Sequence, residues 1–410
     1  MVLMLPMPAD NGARLAAVLP TALASLAMGL GKDPTEVLSR ALENRAENFS
    51  SAEPLLSGVT SVVLIVVDGL GFSNLRSAAG HARTLKSLQT RRIETVIPST
   101  TGAALTSITT GRLPGVHGLV GYKIRHPKLG LVTTLKGWDG ITNDDQWQRA
   151  TPLFGLAEPL GAGAAVIGRP AHANGGLTRA ILSGAQYHGG QTIDDRFSIA
   201  SRLLRANDPH VIYLYVDELD KIAHAEGWKS GAWLQRLEQF DAALQAFLQS
   251  LPGGVGVVIT ADHGIVDVPE DRRVVLDAGG ITLDGVAEIG GEPRMRSLYV
   301  DGADPQQVVE RLRHDLGRSA WVGTREEAIK AQWFGANVDR AVADRLGDVL
   351  VTARGEYAFV LEADGPAALA MVGQHGGLSD EERGVPLILA GAFAGTSFAG
   401  ALTKVALTYG

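Results

Sequence analysis

Three consecutive hydroxyls, Ser99, Thr100 and Thr101, follow Pro98 and precede a small, apolar run, Gly102-Ala103-Ala104-Leu105-Thr106-Ser107-Ile108. That run predicts a helix, stopped by Gly111 and Pro114. A hydroxyl in the first turn of such a helix sits among unpaired backbone N–H groups at the positive end of the dipole, where a phosphate-like anion is stabilised. Thr101 is therefore a candidate nucleophile. The same residues also suit plain helix capping, so partners elsewhere in the chain must decide.

Those partners are acids and histidines. Asp68 stands directly after the β-branched run Ser61–Val67. Asp220 and His224 are four apart, so one helical turn would project both from one face toward one metal ion, although a surface pair has the same spacing. Asp262 and His263 follow the apolar run Val255–Thr260 and precede Gly264, a tight turn of the kind a metal site uses. His375 lies between Gln374 and two glycines, which lets an ion or phosphate approach closely. Together these are three carboxylates and three imidazoles, enough ligands for two first-row metal ions.

The elements that must position them alternate as in a doubly wound α/β sheet. Ser61–Val67, Ala164–Gly168, Val211–Val216, Val255–Thr260 and Val385–Ala390 read as strands, mostly of the continuous kind buried on both faces of a parallel sheet. Arg92–Ile97 reads as a further strand, Gly121–Trp138 as a loop and hairpin, and Trp233–Leu251 as an amphipathic helix. A carboxylate at the carboxyl edge of a central strand is where open α/β sheets keep ligands. Residues 1–57 read as an N-terminal helical arm packed outside the main domain, with an amphipathic helix over Ala13–Gly29 and a second helix over Thr35–Ala46. Residues 58–266 and 362–410 form the catalytic domain, and 267–361 an inserted α+β cap. Within the cap, Ser297–Val300 reads as a strand, Pro305–Leu316 and Thr324–Gln332 as helices, and Gly347–Thr352 with Tyr357–Val360 as a strand pair.

Composition narrows the function classes. A chain of 410 residues, 45% hydrophobic and 20% charged, with 50 glycines, is a turn-rich globular protein. A net charge of −7 argues against a nucleic-acid polymer as the main partner. With no cysteine, thiolate zinc sites, iron–sulfur clusters and a cysteine nucleophile are excluded. Gly69-Leu70-Gly71 lacks the third glycine of a dinucleotide loop, since position 74 is Asn74. No apolar run approaches a membrane span, and the expectation is a cytoplasmic protein that does not engage a membrane.

In order and setting, Val-Val-Asp68-Gly, the Pro98–Gly118 segment, Asp220-x-x-x-His224, Thr-Ala-Asp262-His263-Gly and Gln-His375-Gly-Gly with Glu382-Arg383-x-Val385-Pro386 resemble the alkaline phosphatase superfamily, in particular its nucleotide pyrophosphatase/phosphodiesterase branch and related phosphonate hydrolases. The resemblance implies a three-layer α/β/α fold with a large, mostly parallel central sheet and a small inserted cap. It implies Asp220, His224 and His375 around one zinc ion, and Asp68, Asp262 and His263 around the other, with Thr101 bridging to the second. The motif register selects Thr101 over Thr100. Two divalent ions are expected, Zn2+ first because imidazole and carboxylate suit it, and Mn2+ second. The expected reaction is hydrolysis of a small phosphorylated substrate through a phospho-threonine.

Two departures bear on the substrate. Tyr122 stands where the phosphodiesterase branch usually has an asparagine, and Gly102-Ala103 where it often has an aromatic residue and proline. A phenol can still donate a hydrogen bond, so Tyr122 is a candidate substrate contact. Arg294 and Arg296, just before a cap strand, are candidates for gripping an anionic group. Alternatives are a phosphonate or phosphate-monoester hydrolase on the same metals, or an inactive metal-binding relative. The sulfatase motif is missing after Thr101, and the cofactor-independent phosphoglycerate mutases resemble it less, having a longer chain and a serine nucleophile.

Overall fold

A computed structural model describes residues 5–43, 49, 51–136, 138–142, 146–206, 208–277 and 281–409. Its centre is a seven-stranded sheet in the order Gln89–Glu94, Gly384–Gly391, Val255–Thr260, Ser61–Val67, His210–Val216, Gly163–Gly168, Gln186–Gly189. The last five are mutually parallel, and Gly384–Gly391 runs against both its neighbours. Every residue of Ser61–Val67 and Val255–Thr260 is buried, which is why these strands read as unbroken apolar runs rather than alternating ones. Helices lie over the sheet, among them Gly231–Gln249, whose Trp233, Leu237, Phe240, Leu244 and Phe247 face the core. The large, mostly parallel central sheet with helices packed on it is as the sequence implied.

The N-terminal segment departs from expectation. Helix Val18–Gly29, which follows the short helix Ala13–Ala16, is not amphipathic, since every residue from Val18 to Ala27 is buried. Both helices contact the Thr101–Thr110 helix, and Val18–Gly29 also meets the Ser61–Val67 strand and the Pro34–Ala41 and Phe398–Ala406 helices, so they are part of the core and not an outer arm. Thr21 is accommodated in this core because its Oγ1 donates to the Ala17 carbonyl at 2.7 Å, and the Ser25 carbonyl accepts the Val59 N–H at 3.1 Å. Of the second helix only Pro34–Ala41 is assigned, and the expected end at Ala46 lies outside the described residues.

Between the main-sheet segments a four-stranded antiparallel sheet forms, in the order Val286–Glu292, Met295–Val300, Val349–Ala353, Ala320–Thr324. Helix Pro305–Leu316 closes a separate apolar cluster against it through Val308, Val309, Leu312 and Leu316. The expected strand pair is corrected: Val349–Ala353 pairs with Met295–Val300 and Ala320–Thr324, whereas Ala358–Val360 pairs in parallel with Arg273–Val275. The end of this sheet nearest the site is the tight turn from Val286–Glu292 into Met295–Val300, where Gly291 holds φ at +75°.

Candidate active site

Three neighbouring parallel strands deliver most of the site. Asp68 leaves the end of Ser61–Val67, Asp262 and His263 leave Val255–Thr260, and His210–Val216 runs into the helix Glu218–Glu226 that carries Asp220 and His224. Because the strands are parallel and adjacent, their carboxyl ends converge on one edge of the sheet. Thr101 is the first residue of the buried helix Thr101–Thr110. His375 follows the two-residue strand Gly373–Gln374, which pairs with Val266–Asp267 just beyond His263.

These residues meet. Thr101 Oγ1 lies 3.2 Å from His263 Nε2, and the same nitrogen is 3.3 Å from Asp68 Oδ1 and 3.5 Å from Asp262 Oδ2. His224 Nε2 is 3.2 Å from Asp220 Oδ2, and His375 Nε2 is 3.9 Å from Asp220 Oδ1. The rings of His263 and His375 stack with centroids 3.6 Å apart. Each imidazole turns its other nitrogen to a backbone carbonyl: His224 Nδ1 to Gly373 at 2.7 Å, His375 Nδ1 to Ser99 at 3.0 Å and His263 Nδ1 to Gly264 at 3.2 Å. A carbonyl only accepts, so Nδ1 carries a hydrogen and Nε2, which faces the carboxylates, is the nitrogen that offers its lone pair to an ion once it is deprotonated.

The carboxylates are equally specific. Asp262 Oδ1 accepts the N–H groups of Gly69 and His263, and Asp68 Oδ2 accepts the Tyr215 hydroxyl. That leaves Asp68 Oδ1, Asp262 Oδ2 and Asp220 Oδ1 buried without a hydrogen bond. Buried acceptors of this kind are costly unless a cation meets them, so the donor set fits divalent ions. Two triads have ligand atoms mutually within 4.8 Å, Asp220-His224-His375 and Asp68-Asp220-His263. Asp220 thus belongs to both groups, where the resemblance had assigned it to one.

Charge crowding follows from the same distances. Burial and then the facing Asp68 push Asp262 well above the usual carboxylate range. Burial opposes the charged form of His224 and His263, yet Asp220 beside the first raises it to about 9, and Asp262 and Asp68 beside the second raise it to about 10. His375, buried and facing those two imidazoles, is held well below its ordinary value. The cluster therefore holds protons where cations would sit.

A cavity of about 1000 Å³ opens over the cluster, with Asp68, Thr101, Tyr122, Asp220, His224 and His375 in its wall. Tyr122 lines it, held by a 2.8 Å hydrogen bond from its N–H to Glu292 Oε2. The two arginines are placed differently with respect to this cavity. Arg294 is fully buried, does not line the cavity and makes a two-pronged ion pair with Glu382. Arg296 does line the cavity, but it is 1% exposed and its Nε and Nη2 are engaged by the Phe359 carbonyl at 2.7 Å and by Asp364. Arg294, with all three guanidinium nitrogens already paired under burial, has no donor face to offer an incoming anion. Sequence reading missed Tyr215, Ser99 and Glu292, whose partners lie 147, 276 and 170 residues away along the chain.

The sequence model of type I phosphodiesterase/nucleotide pyrophosphatase matches residues 62–378. The chain belongs to that family. Venom phosphodiesterase 2 of Crotalus adamanteus is 23% identical over 239 residues, 56% of this chain and 28% of that protein. Ectonucleotide pyrophosphatase/phosphodiesterase family member 1 of Homo sapiens is 22% identical over 219 residues, 50% of this chain and 23% of that protein. The chain thus spans about a quarter of the length of these relatives. Among solved structures, an inactive murine ectonucleotide pyrophosphatase/phosphodiesterase 5 in complex with AMP superposes with a TM-score of 0.63 at 18% identity, covering 80% of this chain and 87% of that one. Phosphonoacetate hydrolase from Sinorhizobium meliloti 1021 with phosphonoformate gives 0.61 at 23% identity, covering 84% and 95%. For this family member, no helix among the described residues is long and apolar enough to cross a membrane.

Proposed function

We propose that the chain is a phosphodiesterase/nucleotide pyrophosphatase that hydrolyses small phosphate esters through a covalent phosphoryl-threonine at Thr101, with two divalent ions, Zn2+ or secondarily Mn2+, as cofactors. The observation that carries this reading is the Thr101 hydroxyl at a buried helix start, 3.2 Å from His263 Nε2 and facing carboxylate oxygens left without hydrogen bonds. Asp220, His224 and His375 would hold one ion, and Asp68, Asp262 and His263, with Asp220 beside them, the other. When bound, such ions neutralise phosphoryl oxygens and lower the pKa of a hydroxyl beside them.

The chain's own groups do the rest. Thr101 begins its helix, so the attacking oxygen and the phosphoryl group it receives sit at the positive end of the dipole. The oxygen attacks phosphorus in line, the leaving oxygen departs on the opposite side, and water then cleaves the Thr101 ester from the vacated side. Two inversions retain configuration at phosphorus. Tyr122, at the cavity wall, is the substrate contact proposed to steady the ester, its phenol kept protonated because burial raises it.

A second reading, phosphonate hydrolysis by the same attack, is supported by the fold, since the phosphonoacetate hydrolase structure superposes with a TM-score of 0.61 beside 0.63 for phosphodiesterase 5. A panel of a chromogenic diester, the matching monoester and a phosphonate on metal-replete protein separates them. Diester turnover at least about tenfold above the others is expected, and phosphonate preference reverses the assignment.

Metal binding should also release protons. His224 at about 9 and His263 at about 10 are protonated at neutral pH without metal, and an ion must displace both protons. Apparent affinity should therefore rise as pH is raised from 6 to 8, by about tenfold per pH unit for each proton displaced. Calorimetric titration in two buffers of different ionisation enthalpy measures the release, and a buffer-independent heat contradicts it.

A further inference from the structure

Arg294, which does not line the cavity, points to a different role for the cap. Arg294 sits in the turn between the cap strands Val286–Glu292 and Met295–Val300. Its Nε and Nη2 donate to Glu382 Oε1 and Oε2 at 2.8 and 2.6 Å, and both residues are wholly buried. Its Nη1 is held by the carbonyls of Gly355, at 2.8 Å, and Tyr357. The same Glu382 oxygens accept the N–H groups of Gly377 at 2.8 Å and Ser379 at 3.3 Å, which belong to the turn that begins at His375. Gly377 is pressed so close to this carboxylate that a Cβ there would stand 2.9 Å from Oε2. From the other side Ser99 grips the same turn: its Oγ donates to the Gly377 carbonyl at 2.8 Å and accepts the Gly376 N–H at 3.1 Å, and its carbonyl takes His375 Nδ1. One continuous set of hydrogen bonds therefore runs from the cap through Arg294 and Glu382 to the His375 turn, and on to the loop bearing Thr101.

We propose that Glu382 and Arg294 are positioning residues, a buried strut by which the seat of the cap sets the orientation of His375. This rests on reading His375 as a metal ligand, but its mechanical part does not need an ion. A carboxylate shared between a bidentate guanidinium and two backbone N–H groups has a single arrangement that satisfies all of them, so shifting the cap hairpin withdraws the acceptor from the turn. His375 then loses its fixed angle although no atom of its own has been changed.

The test uses R294K and E382D, which keep both charges but lose the fork or one bond length of reach. In metal-free protein, hydrogen exchange at Gly376, Gly377 and Ser379 is expected to quicken about tenfold or more in both variants; unchanged exchange overturns the strut. In metal-loaded protein, release of one ion to a chelator should be about tenfold to a hundredfold faster, the other ion being retained. Release of both ions at the wild-type rate also overturns it. If the single variants unfold, R294M/E382Q leaves no unpaired buried charge and is expected to recover thermal stability but not slow ion release, because one amide oxygen cannot serve both N–H groups. Recovery of both would reduce the pair to fold stabilisation. A wild-type protein that holds no ion defeats the metal reading, and the exchange data then judge the strut alone.

Discussion

Thr101→Ala is expected to remove at least about a thousandfold of kcat while leaving the melting temperature and metal content close to wild type. The hydroxyl is 3.2 Å from His263 Nε2 and has no packing task of its own, and the helix keeps its other buried contacts when it is cut back. Thr100 makes the natural control. Its hydroxyl is also buried and lines the same cavity, yet it makes no hydrogen bond, so Thr100→Ala should cost less than about tenfold. Equal small losses in the two variants would mean that neither hydroxyl attacks. Loss of metal together with activity in Thr101→Ala would make the threonine a ligand first and a nucleophile second.

Asp220→Asn should have the next largest effect, and a different one. Asp220 alone belongs to both ligand triads, its Oδ2 3.2 Å from His224 Nε2 and its Oδ1 left without a hydrogen bond. An amide keeps the shape but halves the acceptors and removes the charge, so both ions should be weakened together. Turnover should fall on the order of a thousandfold, and metal content by elemental analysis after dialysis should drop from two ions per chain to below one. By contrast Asp262→Asn, whose Oδ1 is already committed to Gly69 and His263 N–H groups, should lose one ion and keep the other. If Asp220→Asn also keeps one full ion, Asp220 serves a single metal and the shared position is wrong.

What could be read in the sequence was whatever announces itself locally. Ser61–Val67 and Val255–Thr260 are buried on both faces, so their β-branched runs were unbroken and the acids at their ends stood out. Asp220 and His224 were visible because four residues make one helical turn. What stayed hidden depends on distant partners. Tyr215 looked like an ordinary strand residue until the sheet placed its hydroxyl on Asp68. Arg294 and Arg296 read as candidates for gripping an anionic group, since no periodicity distinguishes a free arginine from one meeting Glu382 across 88 residues. The Val286–Glu292 strand went unread because Gly290 and Gly291 are poor strand formers, and the helix over Val18–Gly29 has no wet face because even its Thr21 is buried and bonds back to the Ala17 carbonyl.

The covalent step is open to direct observation. Metal-loaded protein mixed with a chromogenic phosphodiester and quenched in acid during turnover should yield, on digestion and mass spectrometry, a peptide containing Thr101 that has gained the phosphoryl group with its remaining ester substituent, and Thr101→Ala should yield none. Steady turnover with the Thr101 peptide unmodified, at a rate that survives in Thr101→Ala, would contradict the account.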